Sequence, residues 1–238
     1  MRSFGKTPVR AILAEGLGTF ILVFAGVGAV MVNDLSAGAV THLGISLVFG
    51  AVVAALIYTL GHLSGAHFNP AVTLSFWGGG FIRRERAIVY VVAQCLGACL
   101  ASLLLRAALG AIGNQGATLP KNDQWAQALL LETILTFILM LVIYGSAVDR
   151  RAPAGWGGLA IGLTVAVEAC AMGPITGASM NPARSLGPAL AAGLWQHHWV
   201  YWLAPILGAQ LALVVYRYLG NGFDFPTESS SQNQGAEP

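Results

Sequence analysis

Two tripeptides, Asn69-Pro70-Ala71 and Asn181-Pro182-Ala183, sit inside matching polar stretches, Ser64 to Thr73 and Thr176 to Ser185. Proline suits the first turn of a helix, where its missing N–H is no loss, and asparagine suits the N-cap before it. Each pair therefore reads as a helix start, the end of a helix that carries roughly half a positive charge. The residues ahead of the two starts, Gly65, Ala66, His67 and Phe68, then Gly177, Ala178, Ser179 and Met180, are expected to present a ladder of backbone carbonyl acceptors. The two Asn amides offer NH₂ donors to the same space. A narrow path with acceptors along it and a positive, donating centre suits a small neutral solute. It repels cations and interrupts a proton wire.

Four charged residues belong to the same question. Arg184 follows the second tripeptide, and a charge placed that deep in an apolar segment marks a pathway. Its fork of donors can hold a solute oxygen, and its charge repels cations. Glu15 and Glu132 stand at matching depths in two apolar runs and need partners. Backbone N–H groups of the two polar stretches would supply them, so both carboxylates are expected to brace the carbonyl ladder. Glu168 has no counterpart in the other half; it is expected to brace the second stretch or to answer the charge of Arg184, with direct contact with the solute as the alternative. His67 is expected to contribute its carbonyl, and His197 and His198 to be solvated. Cys95, Cys99 and Cys170 suggest neither a disulfide scaffold nor a metal site. No Ser/His dyad, metal cluster or nucleotide loop is evident, so neither enzyme chemistry nor a cofactor is expected.

The rest of the chain has to position these groups in a membrane. Of 238 residues, 56% are hydrophobic and only 9% are charged, against about 25% in a soluble domain. A net charge of +2 leaves no basic footprint for nucleic acid. Apolar runs at about 10–33, 40–60, 87–109, 126–148, 156–173 and 198–219 are each long enough to cross a bilayer, which takes about 20 residues. The short segments at roughly 62–80 and 176–192 are not, and Gly/Pro-interrupted segments of this kind mark a solute path. With six spans, nine of the twelve basic residues fall on one side together with both termini, which makes that side cytoplasmic. The expected setting is a multi-pass protein of a plasma or inner membrane, with residues 1–9 a cytoplasmic start and 221–238 a disordered cytoplasmic tail.

The halves also repeat. Glu15, Thr19 and Phe20 recur as Glu132, Thr136 and Phe137, the tripeptide stretches recur, and Leu96-Gly97-Ala98 recurs as Leu207-Gly208-Ala209. Each unit, about 10–109 and 126–219, holds three spans and one short segment. Three is odd, so the second copy is inverted relative to the first. The fold class is all-α: six transmembrane helices plus two re-entrant half-helices.

Ser-Gly-Ala-His-Phe-Asn-Pro-Ala-Val-Thr and Thr-Gly-Ala-Ser-Met-Asn-Pro-Ala-Arg-Ser resemble the twin signature motifs of the aquaporin, or major intrinsic protein, family. The resemblance covers about 10–220. It implies a right-handed helical bundle in a homotetramer, with one pore per subunit, and bracing by the two matched glutamates. It places an outer selectivity filter at Phe49, Ala169, Ala178 and Arg184. Strict water channels of the family usually carry His where this chain has Ala169, which implies a wider, more apolar filter. Ser185, Ala189, Tyr201 and Trp202 point the other way, since glycerol facilitators usually carry Asp after the arginine. The reading is a passive channel for water and small uncharged solutes that excludes protons and ions. The alternative is a facilitator chiefly for glycerol or neutral metalloid acids; an ion-coupled transporter is more distant, for want of a coupling site.

Overall fold

The computed structural model describes residues 7–220. The two ends named above, most of 1–9 and all of 221–238, lie outside them. Eight helices follow in order: α1 (Val9–Leu35), α2 (Thr41–Ser64), α3 (Pro70–Gly78), α4 (Arg84–Leu109), α5 (Trp125–Ile143), α6 (Gly157–Thr176), α7 (Pro182–Ala192) and α8 (Val200–Leu219). A π-turn, Tyr144–Val148, extends α5. No strand occurs among the described residues. Six of the helices are long and apolar enough to cross a membrane, whereas α3 and α7, of 9 and 11 residues, are not.

The apolar runs become helices because in lipid each backbone N–H and C=O must find its partner within the segment. Where the backbone leaves the helix it does so deliberately. Gly65 ends α2 with φ +93° and Gly177 ends α6 with φ +89°, left-handed positions that suit glycine. Asn69 and Asn181 then cap α3 and α7, with proline as the first helical residue of each. Spans two and five run a few residues further than their apolar stretches suggest, α6 continuing through Pro174.

Packing follows the repeat. Helix α1 lies on α4 and α5 on α8, while α2 meets α6 across the two halves. These crossings are close because small residues sit in them. A Cβ on Gly97 would overlap the Gly16 carbonyl, and one on Gly208 would overlap the Thr133 carbonyl. Gly50 and Gly162 face each other's carbonyls in the α2–α6 crossing. The matched glycines of the two halves thus do the same work. Gly97→Val is expected to force α1 and α4 apart, because the obstacle is backbone and cannot rotate away. Overpacking of this kind costs about 1–3 kcal/mol, or about 2–4 °C of melting temperature for each kcal/mol. A thermal melt of the detergent-solubilised protein, followed by size exclusion, checks this; an unchanged midpoint would mean that the crossing is looser than its geometry.

Candidate pore and filter

Between α2 and α3, and again between α6 and α7, the chain crosses the interior without helical hydrogen bonds. Ala66 and Phe68 take left-handed φ values of 52° and 48°, and Ala178 and Met180 take 40° and 54°. Such a conformation costs about 1–3 kcal/mol per non-glycine residue and persists only where the surroundings enforce it. Buried carboxylates do the enforcing. Glu15 on α1 accepts hydrogen bonds from the backbone N–H groups of His67 (3.0 Å) and Phe68 (2.7 Å), from the Ser64 hydroxyl (2.6 Å) and from the Gln94 amide (2.8 Å). Glu132 on α5 accepts from the N–H groups of Ser179 and Met180, both at 2.8 Å, and from the Thr176 hydroxyl (2.8 Å). Ser64 and Thr176 also receive the N–H groups of Ala66 and Ala178, each at 3.0 Å. With its N–H groups held from behind, each loop is left its carbonyls for the other side.

The two helix starts meet. Asn69 Oδ1 accepts the Ala71 N–H (2.9 Å), and Asn181 Oδ1 accepts those of Ala183 (3.0 Å) and Arg184 (3.3 Å). Their NH₂ groups reach across. Asn69 Nδ2 donates to the Met180 carbonyl (2.8 Å) and Asn181 Nδ2 to the Phe68 carbonyl (2.9 Å). This corrects the simplest picture of the ladder in two respects. The carbonyls of Phe68 and Met180 each accept one bond from the opposite half, and each Asn amide keeps only one of its two hydrogens for other partners. Pro70, Ala71, Pro182 and Ala183 are buried in the first turns behind the caps.

A cavity of about 240 Å³ runs past this junction. Gly65, Ala66, His67, Ala178 and Ser179 border it, and so do Leu22, Val53, Ile57, Leu139, Ile143 and Val165. Gly177 stands just before that border, as the cap of α6. Loop backbone and hydrocarbon side chains thus both line it. Phe49, Ala169, Ala178 and Arg184 line the same cavity. The Arg184 guanidinium lies over the Phe49 ring, 5.0 Å from its centre. Phe49 has room for its ring because α1 offers Gly26 there, where a Cβ would overlap it.

Several residues that hold this site carry no pattern in the sequence. Gly116, in the connection 110–124, accepts from Arg184 Nη1 at 2.8 Å and so aims the guanidinium. Thr118 donates to the Ser185 hydroxyl (2.7 Å), which also bonds Ser179 (2.5 Å). Gln94 joins Glu15 to Thr73, and Thr73 in turn bonds the His67 ring (3.0 Å). That ring is packed against Phe76, their centres 4.6 Å apart. Tyr201 donates to the Thr176 carbonyl at 2.7 Å, where the second loop begins. His197 is paired with Asp123 (2.6 Å), and His198 accepts from the Trp202 indole (3.1 Å), so neither is merely solvated. Partial burial pushes the His198 imidazole below its usual value.

The bracing expected of Glu168 does not occur. Both of its carboxyl oxygens are buried and have no hydrogen-bond partner among the described residues. Nothing in the second loop is left for it. Glu132 holds the N–H groups of Ser179 and Met180, Thr176 holds that of Ala178, and the Gly173 carbonyl holds that of Gly177. Arg184 Nη1 donates to the Gly116 carbonyl, and no donor of the guanidinium reaches the Glu168 oxygens.

Known proteins can be set beside this geometry. The family model described as "Major intrinsic protein" matches residues 3–216. Aquaporin NIP1-2 of Oryza sativa is 50% identical over 216 residues, which is 87% of this chain and 71% of that protein. A probable aquaporin, AqpM, of Archaeoglobus fulgidus is 43% identical over 240 residues, covering 90% of this chain and 98% of that one. The solved aquaglyceroporin of Plasmodium falciparum superposes with a TM-score of 0.79 at 27% identity, over 90% of this chain and 97% of that structure. Six membrane-crossing helices, two half-helices joined cap to cap and a match along almost the whole described chain agree: the protein belongs to the major intrinsic protein family, the aquaporin family of membrane channels.

Proposed function

We propose that the chain is a passive channel for water and small uncharged solutes, and that it excludes protons and ions. The observation that carries this reading is the junction of the two caps. Two helix N-termini point at one place, each Asn amide there keeps an N–H for a passing solute, and Arg184 stands nearby. A cation meets like charge, and a water chain meets donors from the protein at its middle. The two halves, about 10–109 and 126–219, act as inverted repeats around that point, both termini are cytoplasmic, and four copies assemble with one pore in each. Phe49, Ala169, Ala178 and Arg184 form the filter, and the carbonyls of Gly65, Ala66, His67, Gly177, Ala178 and Ser179 the ladder.

One observation favours a solute larger than water. Hydrocarbon side chains line much of the cavity beside the loop backbone, and Ala169 adds only a methyl group to the opening. A small polyol fits such walls, its hydroxyls on Arg184 and the carbonyls and its carbons against Phe49. A facilitator chiefly for glycerol or neutral metalloid acids is the second reading on the same grounds. Stopped-flow light scattering on proteoliposomes, with water and then glycerol gradients, separates the two. Fast shrinkage in water with measurable glycerol entry supports the first reading, and slow water flux with fast glycerol entry the second. Ohmic current in a planar bilayer that scales with the protein would overturn both.

Ala169→His tests the filter itself. A ring on α6 facing Phe49 and Arg184 narrows the opening and adds a fixed polar group. The expected result is a glycerol-to-water permeability ratio lower by about tenfold, since a tight pocket discriminates by that much or more over one or two carbon groups. An unchanged ratio would remove residue 169 from the filter.

A further inference from the structure

The carbonyl of Cys170 follows directly after Ala169 on α6. In an uninterrupted helix it would accept the N–H of residue 174. That residue is Pro174, inside the helix, and it has no N–H to give. A carbonyl orphaned within a membrane helix needs another donor. The structure supplies one from a different span: His42 Nε2 lies 2.8 Å from the Cys170 oxygen. A carbonyl oxygen can only accept, so Nε2 carries the hydrogen.

The surroundings are fitted to this bond. A Cβ on Gly173 would come within 3.0 Å of His42 Cε1, so glycine at 173 leaves the imidazole its seat. The His42 carbonyl is in turn held by the Ser46 hydroxyl at 2.9 Å. Phe49 stands on the same helix as His42, two turns on and therefore on nearly the same face. Helices α2 and α6 are thus tied at two levels. Below, Gly50 and Gly162 bring the backbones together. Above, His42 grips the carbonyl next to Ala169. Between the two ties, α2 carries Phe49 and α6 carries Ala169.

We propose that His42 is a positioning residue of the filter: by replacing the N–H that Pro174 lacks, it fixes the separation of Phe49 from Ala169 and so the size of solute admitted. The proposal rests on the filter reading given above. His42 touches no solute; it acts through the α6 backbone.

This mechanism ties the importance of His42 to the proline. His42→Leu removes the donor and leaves the carbonyl without its partner on α2. Pro174→Ala restores a helical N–H to the same carbonyl, after which the imidazole is redundant. His42→Gln keeps a donor of similar reach. Water and glycerol permeabilities per protein are to be measured in proteoliposomes for the wild type, His42→Leu, His42→Gln, Pro174→Ala and the His42→Leu/Pro174→Ala double variant. His42→Leu is expected to change the glycerol-to-water ratio, or either rate alone where only one solute passes, by about threefold, within the range one hydrogen bond carries. His42→Gln is expected to stay near the wild type, and the double variant to match Pro174→Ala. Should His42→Leu fail to fold, recovery of folded protein in the double variant supports the same link. The proposal falls if His42→Leu leaves every rate unchanged, or if its effect is the same with Ala at 174 as with Pro. A wild type that conducts while showing no such coupling sinks this inference alone. A wild type that passes neither solute sinks the channel reading with it.

Discussion

Glu15→Leu is expected to yield no monodisperse protein from detergent. Leucine is a good helix former and as apolar as its surroundings, so α1 itself does not suffer. The damage falls on the first re-entrant loop. The carboxylate receives four donors, from His67, Phe68, Ser64 and Gln94. The Ser64 and Gln94 side chains can turn elsewhere. The two backbone N–H groups cannot, and a buried donor left without a partner costs about 1–3 kcal/mol. Ala66 and Phe68 lose at the same time the restraint on their left-handed backbone. Against a typical net stability of about 5–15 kcal/mol, a loss of about 2–6 kcal/mol before strain is enough to unfold the protein or trap it in a loose form. Glu132→Leu is expected to fail in the same way through Ser179 and Met180. Fluorescence-detected size exclusion measures this directly. Glu15→Gln gives the graded control: one oxygen still accepts, while the new NH₂ faces a donor. Wild-type elution and melting for Glu15→Leu would show that water or another group replaces the carboxylate, and would end the bracing role.

What the sequence could tell depended on the range of each interaction. The six spans were legible because each apolar run has to satisfy its own backbone; the run at 10–33 became Val9–Leu35 and that at 87–109 became Arg84–Leu109. The half-helices were legible because capping is local: Asn followed by Pro carries its own instruction. Interactions between distant segments left no such trace. Gly116 holds Arg184 from across the chain, and Gln94 reaches Glu15 from another helix, yet each lies in an unremarkable context. Glu168 shows the opposite error. Its burial followed from its apolar surroundings, but its partner did not, because the N–H groups of the second loop were already taken, two of them by Glu132 from another helix and two by near neighbours. The end of span five extends beyond its apolar run for a related reason. Pro174 is a helix breaker read alone, and His42, 128 residues off in the hydrogen-bond pairing with Cys170, supplies the bond that the proline removes.

Asn69→Asp and Asn181→Asp together are expected to abolish most water flux and to admit cations. The substitution is nearly isosteric, and it preserves the capping role. Each Asp keeps an oxygen for the N–H groups of Ala71 or of Ala183 and Arg184, and a negative charge at a helix N-terminus is favourable. Helices α3 and α7 should therefore form. What changes is the junction. Asn69 Nδ2 now donates to Met180 and Asn181 Nδ2 to Phe68, whereas Asp would set an oxygen against each of those carbonyls. Two acceptors facing each other repel, so the halves lose both cross-ties and the cavity changes width at its middle. The remaining amide hydrogens, which the channel reading assigns to the solute, disappear as well. Two carboxylates also turn the positive centre into a negative one, and a ring of acidic groups selects for cations. Losing two hydrogen bonds at about 0.5–1.5 kcal/mol each corresponds to roughly a tenfold fall in water permeability per protein, since about 1.4 kcal/mol is one factor of ten. The check is stopped-flow shrinkage together with current in a planar bilayer, using protein whose elution matches the wild type. A double variant that keeps wild-type flux and carries no cation current would remove both asparagines from the solute path, and with them the central argument for ion exclusion.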